Sequence, residues 1–224
     1  MNKETFGKVA VLLGGTSNER DISINSGQSV LRALKRNGID ATGIDPKTDN
    51  LEQLKLFDRI FICLHGKDGE DGKIQKYLDS LKIPYTGNGA AASSLCMNKY
   101  LAKKQWAKDN IPTPLFMLAN SPDDYTILRK YFGDEFILKP ASSGSSLGVS
   151  IVKNNNDYME AFDNASKIDS TIIAETYING NEYAIPILNN VALPIIEIKP
   201  KTNFYNFDAK YNRQDTEFIC PANL

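Results

Sequence analysis

Between Lys139 and Gly148 the chain carries four serines, Ser142, Ser143, Ser145 and Ser146, and two glycines, Gly144 and Gly148. Glycine lacks a Cβ, so the backbone there can take positive φ and approach a ligand closely, while the hydroxyl and N–H groups offer donors to an anion. Phosphate is the anion that fits best. Taken alone, the stretch is equally satisfied by a functionless Gly- and Ser-rich hairpin turn. Three lysines are placed to supply charge: Lys139 at the foot of the stretch, Lys99 on a preceding helix, and Lys210 in a later loop able to close over a terminal phosphate. A strand edge at Ala174–Ile178 suits a base read by backbone N–H and C=O groups, and Glu182 is spaced to meet ribose hydroxyls. Two groups stand earlier. His65, the only histidine, directly follows an apolar run and precedes an acidic loop with Gly66, Gly69 and Gly72; a structural role and a ligand contact fit it equally. Glu19 lies before a helical stretch, where capping that helix is the favoured reading over ligand binding.

The elements that must position these groups follow from pattern. A continuous apolar run at 8–13, a loop from Gly14 to Asp21, and a helix with Val30, Leu31 and Leu34 on one face are followed by strand signals at Asp40–Asp45 and Ile60–Leu64 and a helix at Leu51–Phe57. This is a parallel βαβ pattern, whose ligands sit at the loop ends of the strands. The Gly14-Gly15-Thr16 turn lacks the GxGxxG spacing of a dinucleotide site. A turn at Pro84–Gly89 predicts a boundary near residue 90, and a single long helix is expected over Ala91–Asp109 with its lysines mostly solvated. Strands at Leu115–Leu118, Phe136–Lys139, Gly148–Val152 and Thr171–Glu175, with helices around Asp123–Tyr131 and Tyr158–Phe162, lead into a β-rich region. There Tyr183–Leu188 and Val191–Ile198 pair across Asn189-Asn190.

With 224 residues, 42% of them hydrophobic, the chain can bury a sizeable core. Its 26 basic and 27 acidic residues nearly cancel, which argues against a nucleic-acid or membrane-surface partner. The cysteines Cys63, Cys96 and Cys220 are distant from one another and read as buried thiols of a reducing, cytoplasmic compartment. No segment reaches transmembrane length. The final residues stop after a strand signal with no terminal helix, so a chain cut short is expected.

No G-x-x-x-x-G-K-[ST] is present, and the glycine stretch leads into a strand rather than a helix, which excludes a P-loop; no kinase H-R-D or D-F-G occurs either. A nucleotide under a glycine-rich hairpin on a mixed α/β layer leaves the ATP-grasp fold. Five blocks then carry a resemblance: Gly14 to Arg20, Leu64 to Gly72, Pro84 to Gly89, Lys139 to Gly148, and Phe204 to Tyr211. In this order they resemble the D-alanine:D-alanine ligases, over the whole chain.

The resemblance implies an α/β protein with an N-terminal Rossmann-like substrate-binding domain at 1–90, an ATP-grasp central domain at 91–175 with its flap at 141–148, and the start of a C-terminal ATP-grasp domain at 176–224, its last part missing. It implies ATP and D-alanine as substrates, an acyl phosphate intermediate, a product for peptidoglycan precursors, Mg2+ or Mn2+, and a homodimer. Carried over, Glu19 binds the first D-alanine's ammonium and His65 lies beside it. Ser145 and Tyr211 join Glu19 in a closing network. Lys99, Lys139, Lys210, Ser145 and Ser146 meet the phosphates, Glu175 and Ile178 the adenine, and Glu182 the ribose. Two departures stand out. Many relatives carry charged residues where this chain has Ala141-Ser142-Ser143, and the family's Arg-x-Asp and Glu-x-Asn motifs are expected beyond Leu224; Asp215 and Glu217 do not match them. Without those metal ligands the chain alone is expected to bind ATP weakly and catalyse nothing measurable. The rival readings are another ATP-grasp carboxylate–amine ligase and a non-catalytic nucleotide-binding module. The Ala209-Lys210-Tyr211 loop disfavours D-lactate as second substrate.

Overall fold

Four consecutive buried residues, Val9–Leu12, form β1, and they are apolar because this strand lies between two others in a parallel sheet. The neighbours are β2 (Ala41–Ile44) and β3 (Arg59–Ile62), in register Val9 with Ala41 and Val9 with Arg59. The computed structural model describes residues 6–202 and 204–223, and it divides into two units, residues 1–102 and 103–224.

In the first unit the alternation of β1 feeds two layers. Ala10 and Leu12 join Leu54, Ile74 and Leu78 on one side, whereas Val11 and Leu13 pack with Val30, Leu31 and Leu34 of α1 (Arg20–Arg36) on the other. Helix α2 (Lys73–Leu81) supplies Ile74 and Leu78. The expected helix at Leu51–Phe57 is a 3-10 turn over Leu51–Leu56, started where Asn50 accepts the Glu52 N–H. The expected single helix over Ala91–Asp109 is two: α3 (Ala90–Met97) and α4 (Lys99–Lys108). Asn98 separates them. Its backbone is extended, ending α3, and its side chain accepts the Leu101 N–H, 3.0 Å away, to open α4.

The second unit holds an antiparallel sheet, order β4-β7-β5-β6, built from β4 (Phe116–Ala119), β5 (Phe136–Pro140), β6 (Ser150–Val152) and β7 (Ile172–Thr176). One face of it is core: Phe136, Leu138, Val152 and Ala174 pack with Leu128 of α5 (Tyr125–Phe132) and Tyr158, Ala161 and Ala165 of α6 (Asn155–Ser166). Helix α6 is opened by Asn154, whose side chain accepts the N–H groups of Asn156 and Asp157. A second sheet pairs β8 (Glu182–Ala184), β11 (Ile196–Lys199) and β12 (Glu217–Ile219). The expected hairpin across Asn189-Asn190 is present: β9 (Ile187–Leu188) and β10 (Val191–Ala192) pair there, and both asparagines have positive φ. Its ladder is interrupted at Pro186 and Pro194, which have no N–H to donate. A short helix, α7 (Phe207–Tyr211), completes the described elements.

Of the three thiols read as buried, only Cys63 is; Cys96 and Cys220 are exposed. Cys63 ends the apolar run of β3, and burial pushes its thiol up to about 11. Among the described residues no helix is long and apolar enough to cross a membrane.

Candidate functional site

In the first unit the loops after β1 and β3 are tied to each other by small hydroxyl groups. Ser23 accepts the Gly14 N–H and donates to the Cys63 carbonyl, and Ser17 donates to the His65 carbonyl while accepting the Glu19 N–H. Arg20 grips Asp45 with both guanidinium nitrogens at 3.1 and 2.6 Å and donates to the Gly15 carbonyl. Burial pushes the Asp45 carboxyl up, but Arg20 and the N–H groups of Gly15 and Lys47 outweigh it and hold the group at about 2. Neither Arg20 nor Asp45 stands out in the sequence, because the partners are 25 residues apart.

Glu19 and His65 both lie in this frame. Glu19 is buried at the N-cap position of α1, and its side chain makes no capping hydrogen bond there. Its carboxylate rests against Gly66. A Cβ at Gly66 would stand 2.4 Å from Glu19 Oε2, and φ there is +66°, so only glycine fits. Beside these groups is a cavity of about 300 Å3 lined by Gly14, Gly15, Thr16, His65, Asp68 and Tyr77, among others.

The His65 ring has Nδ1 at 3.5 Å from Glu70 Oε1, and Glu70 also accepts the Gly66 N–H at 2.9 Å. Pairing with Glu70 raises the His65 pKa against the opposing effect of burial, and the field of Glu19 adds to the rise. For Glu70, burial pushes the carboxyl up, but His65 and the Gly66 N–H prevail and lower it. The histidine therefore contributes stability in full below its unfolded pKa of about 6.5, lost as pH rises through the raised folded value. The glutamate contributes above its unfolded value of about 4.3, lost as pH falls through the depressed one. As the chain has a single histidine, an NMR titration reads it directly. The expected midpoint lies above that of free histidine and drops in Glu70→Gln; an unmoved midpoint would sink the pairing.

In the second unit the glycine-rich stretch joins β5 to β6, two antiparallel strands in register Phe136 with Val152 and Leu138 with Ser150. The flap is bound rather than loose. Ser142 donates its N–H to Asp169 at 2.7 Å, and Ser143 donates to the Leu147 carbonyl. Ser145 and Ser146 both take left-handed φ, 55° and 59°, a conformation non-glycine residues rarely hold unless neighbours impose it. The neighbours here are residues of the segment between β11 and β12. Ser145 and Tyr211 share a hydroxyl–hydroxyl hydrogen bond of 2.8 Å, and Ser146 donates to the Tyr205 carbonyl at 3.0 Å. Tyr205 in turn donates its N–H to Glu182, at 3.1 Å, and lies under Lys210, whose Nζ is 5.1 Å from the ring centroid. Six residues from separate stretches of the chain thus meet there. Gly148 closes the flap at φ +70°, where a Cβ would strike Ile168 and Pro140.

Below the flap, strand alternation sets the chemistry. Phe136 and Leu138 face the core, which turns Ile137 and Lys139 to the other face, opposite Glu175 and Ile173. Lys139 pairs there with Glu175. Lys103 is the residue the sequence reading missed. Read as part of a solvated helix face, it is buried, its Nζ 2.9 Å from Glu175 Oε2. Its four-residue spacing from Lys99 was the available signal. The expected strand edge at Ala174–Ile178 is also corrected: residues through Thr176 are paired on both sides, Glu175 with Phe116 and with Ile137, so only the segment past Thr176 leaves the ladder. Ile178 in that segment is exposed. Lys99 opens α4 in the first unit and is half-buried.

Two family models match the chain, one described as D-ala D-ala ligase N-terminus over residues 41–88 and one as D-ala D-ala ligase C-terminus over 122–224. The D-alanine--D-alanine ligase of Dechloromonas aromatica is 45% identical over 220 residues, 98% of this chain and 73% of that protein. The chain belongs to the D-alanine–D-alanine ligase family. A second family member, from Laribacter hongkongensis, is 44% identical over 224 residues and 73% of its own length. Among solved family structures, the D-alanine--D-alanine ligase of Bacillus anthracis is 31% identical with a TM-score of 0.82, covering 97% of this chain and 72% of that one. The same enzyme complexed with ATP gives 30% and 0.79. These family members carry the mixed α/β architecture of a parallel N-terminal sheet followed by an ATP-grasp fold.

Proposed function

We propose that the protein joins two D-alanines at the expense of ATP, for peptidoglycan precursor synthesis in the cytoplasm. The observation that carries this within a ligase family is the flap, locked by Ser145 to Tyr211 and by Ser146 to the Tyr205 carbonyl over a sheet face bearing Lys139. In this reading the γ-phosphoryl group of ATP passes to a carboxylate oxygen of the first D-alanine and ADP leaves. The amine of the second D-alanine attacks the carbonyl carbon, and phosphate departs from the tetrahedral intermediate. An acyl phosphate hydrolyses readily in water, and a flap tied to a loop excludes it.

Glu19 accepts from the ammonium of the first D-alanine, with His65 beside it. Lys99, Lys139 and Lys210 neutralise phosphate charge, which Ser145 and Ser146 cap. Glu175 and Ile178 flank the adenine, and Glu182 takes the ribose hydroxyls. Family resemblance adds a homodimer and Mg2+ or Mn2+ as further expectations. Among the described residues no group of three or more His, Cys, Asp or Glu could hold a metal ion, and Glu175 is already neutralised by two lysines.

Phosphate release by the protein carrying this chain is expected to require both ATP and D-alanine. Equal turnover with L-alanine would point to another carboxylate–amine ligase, and nucleotide binding without turnover to a non-catalytic module.

A further inference from the structure

We propose that Lys103 is a positioning residue for the nucleotide, holding the charge of Glu175 so that Lys139 can leave it for a phosphate; this rests on the ATP-dependent reading above. The three side chains meet on the sheet face that the core does not occupy, with Glu175 between the two lysines. Their side chains are 5% (Lys103), 16% (Lys139) and 10% (Glu175) exposed, so the order of accessibility is set: Lys103 is sealed in and Lys139 is the more open.

An ammonium has three donors; Lys103 uses two of them in hydrogen bonds and meets Glu175 as an ion pair. It donates to Thr113 Oγ1 at 2.7 Å and to the Pro114 carbonyl at 3.2 Å, and it lies 2.9 Å from Glu175 Oε2. The Phe116 ring centroid is 5.3 Å from the same nitrogen. These partners lie next to and on β4, the strand paired with Glu175, so Lys103 is fixed to the sheet that carries the carboxylate.

The cluster holds two cations and one anion. Its excess positive charge is shielded from water, and an incoming phosphate supplies the missing counter-ion. If Lys139 were the sole partner of Glu175, turning toward a phosphate would strand a buried carboxylate, which is costly. With Lys103 in place Glu175 stays paired, and Lys139 is released to the ligand. Lys103 thus acts on ATP through Lys139 and Glu175, without touching the nucleotide.

The test is a double-mutant cycle on the protein carrying this chain, reading KM for ATP and for D-alanine. Lys103→Met is expected to raise KM for ATP by about tenfold or more, with KM for D-alanine within about twofold. In a Glu175→Gln background, where no carboxylate is left to strand, the same change should cost less than about threefold. An unchanged KM for ATP, or an equal cost in both backgrounds, overturns the proposal. Should Lys103→Met alone fail to fold, the comparison of Lys103→Met/Glu175→Gln with Glu175→Gln decides it: a difference within about threefold supports the role, and a larger one overturns it. The unaltered protein separates the two levels. If it shows no ATP- and D-alanine-dependent turnover, the ligase reading fails; if it does and Lys103 has no effect, only this inference fails.

Discussion

Replacing Glu19 by glutamine is expected to raise KM for D-alanine by about 10- to 10²-fold while leaving KM for ATP within about twofold. The argument is one of charge at constant shape. Glu19 is buried at the entrance to α1, its carboxylate packed against a glycine with no room for a Cβ, so an isosteric amide keeps the packing and removes only the negative charge. A hydrogen bond to a charged partner contributes about 1.5–3 kcal/mol, which converts to the stated range. Steady-state kinetics with each substrate varied in turn reads the result. A parallel rise for ATP, or none for D-alanine, would remove Glu19 from the amino-acid site.

Phe136→Ala is expected to cost about 3–5 kcal/mol of stability. Phe136 is fully buried at the centre of an aromatic cluster, with ring centroids 6.3 Å from Tyr125, 5.9 Å from Phe132 and 6.3 Å from Tyr158. Removing the ring leaves a cavity that neighbours held by two helices and a sheet cannot fill. It also loosens the strand whose other face carries Lys139, so ATP binding should weaken along with stability. Urea unfolding should show a midpoint lower by more than about 1 M. A loss below about 1 kcal/mol would mean that the cluster collapses around the gap and is packed less specifically than its ring distances indicate.

Much of the frame was legible before any coordinates. The apolar run of β1 announced a buried parallel strand, since a strand covered on both faces has no polar side to show. The flap was recognisable from its composition between two strands, and Asn189-Asn190 marked a hairpin, because tight turns need residues that tolerate positive φ. Local errors came where one side chain overrides periodicity. Asn98 divides an otherwise continuous helical stretch, and the buried Lys103 follows the solvated-looking pattern of its helix.

By itself, then, the sequence determined the order of the elements, the Gly-Ser flap, the family and the residue types available for binding amino acid and nucleotide. These depend on neighbours along the chain or on blocks that recur with fixed spacing. Only the tertiary structure decided which charges meet. Arg20 and Asp45, His65 and Glu70, and Lys103, Lys139 and Glu175 are joined by strand register and burial, which bring distant residues within hydrogen-bond or ion-pair range. It also decided that Ser145 and Ser146 of the flap fasten to Tyr211 and Tyr205 across about sixty residues of chain, the kind of contact no local pattern records.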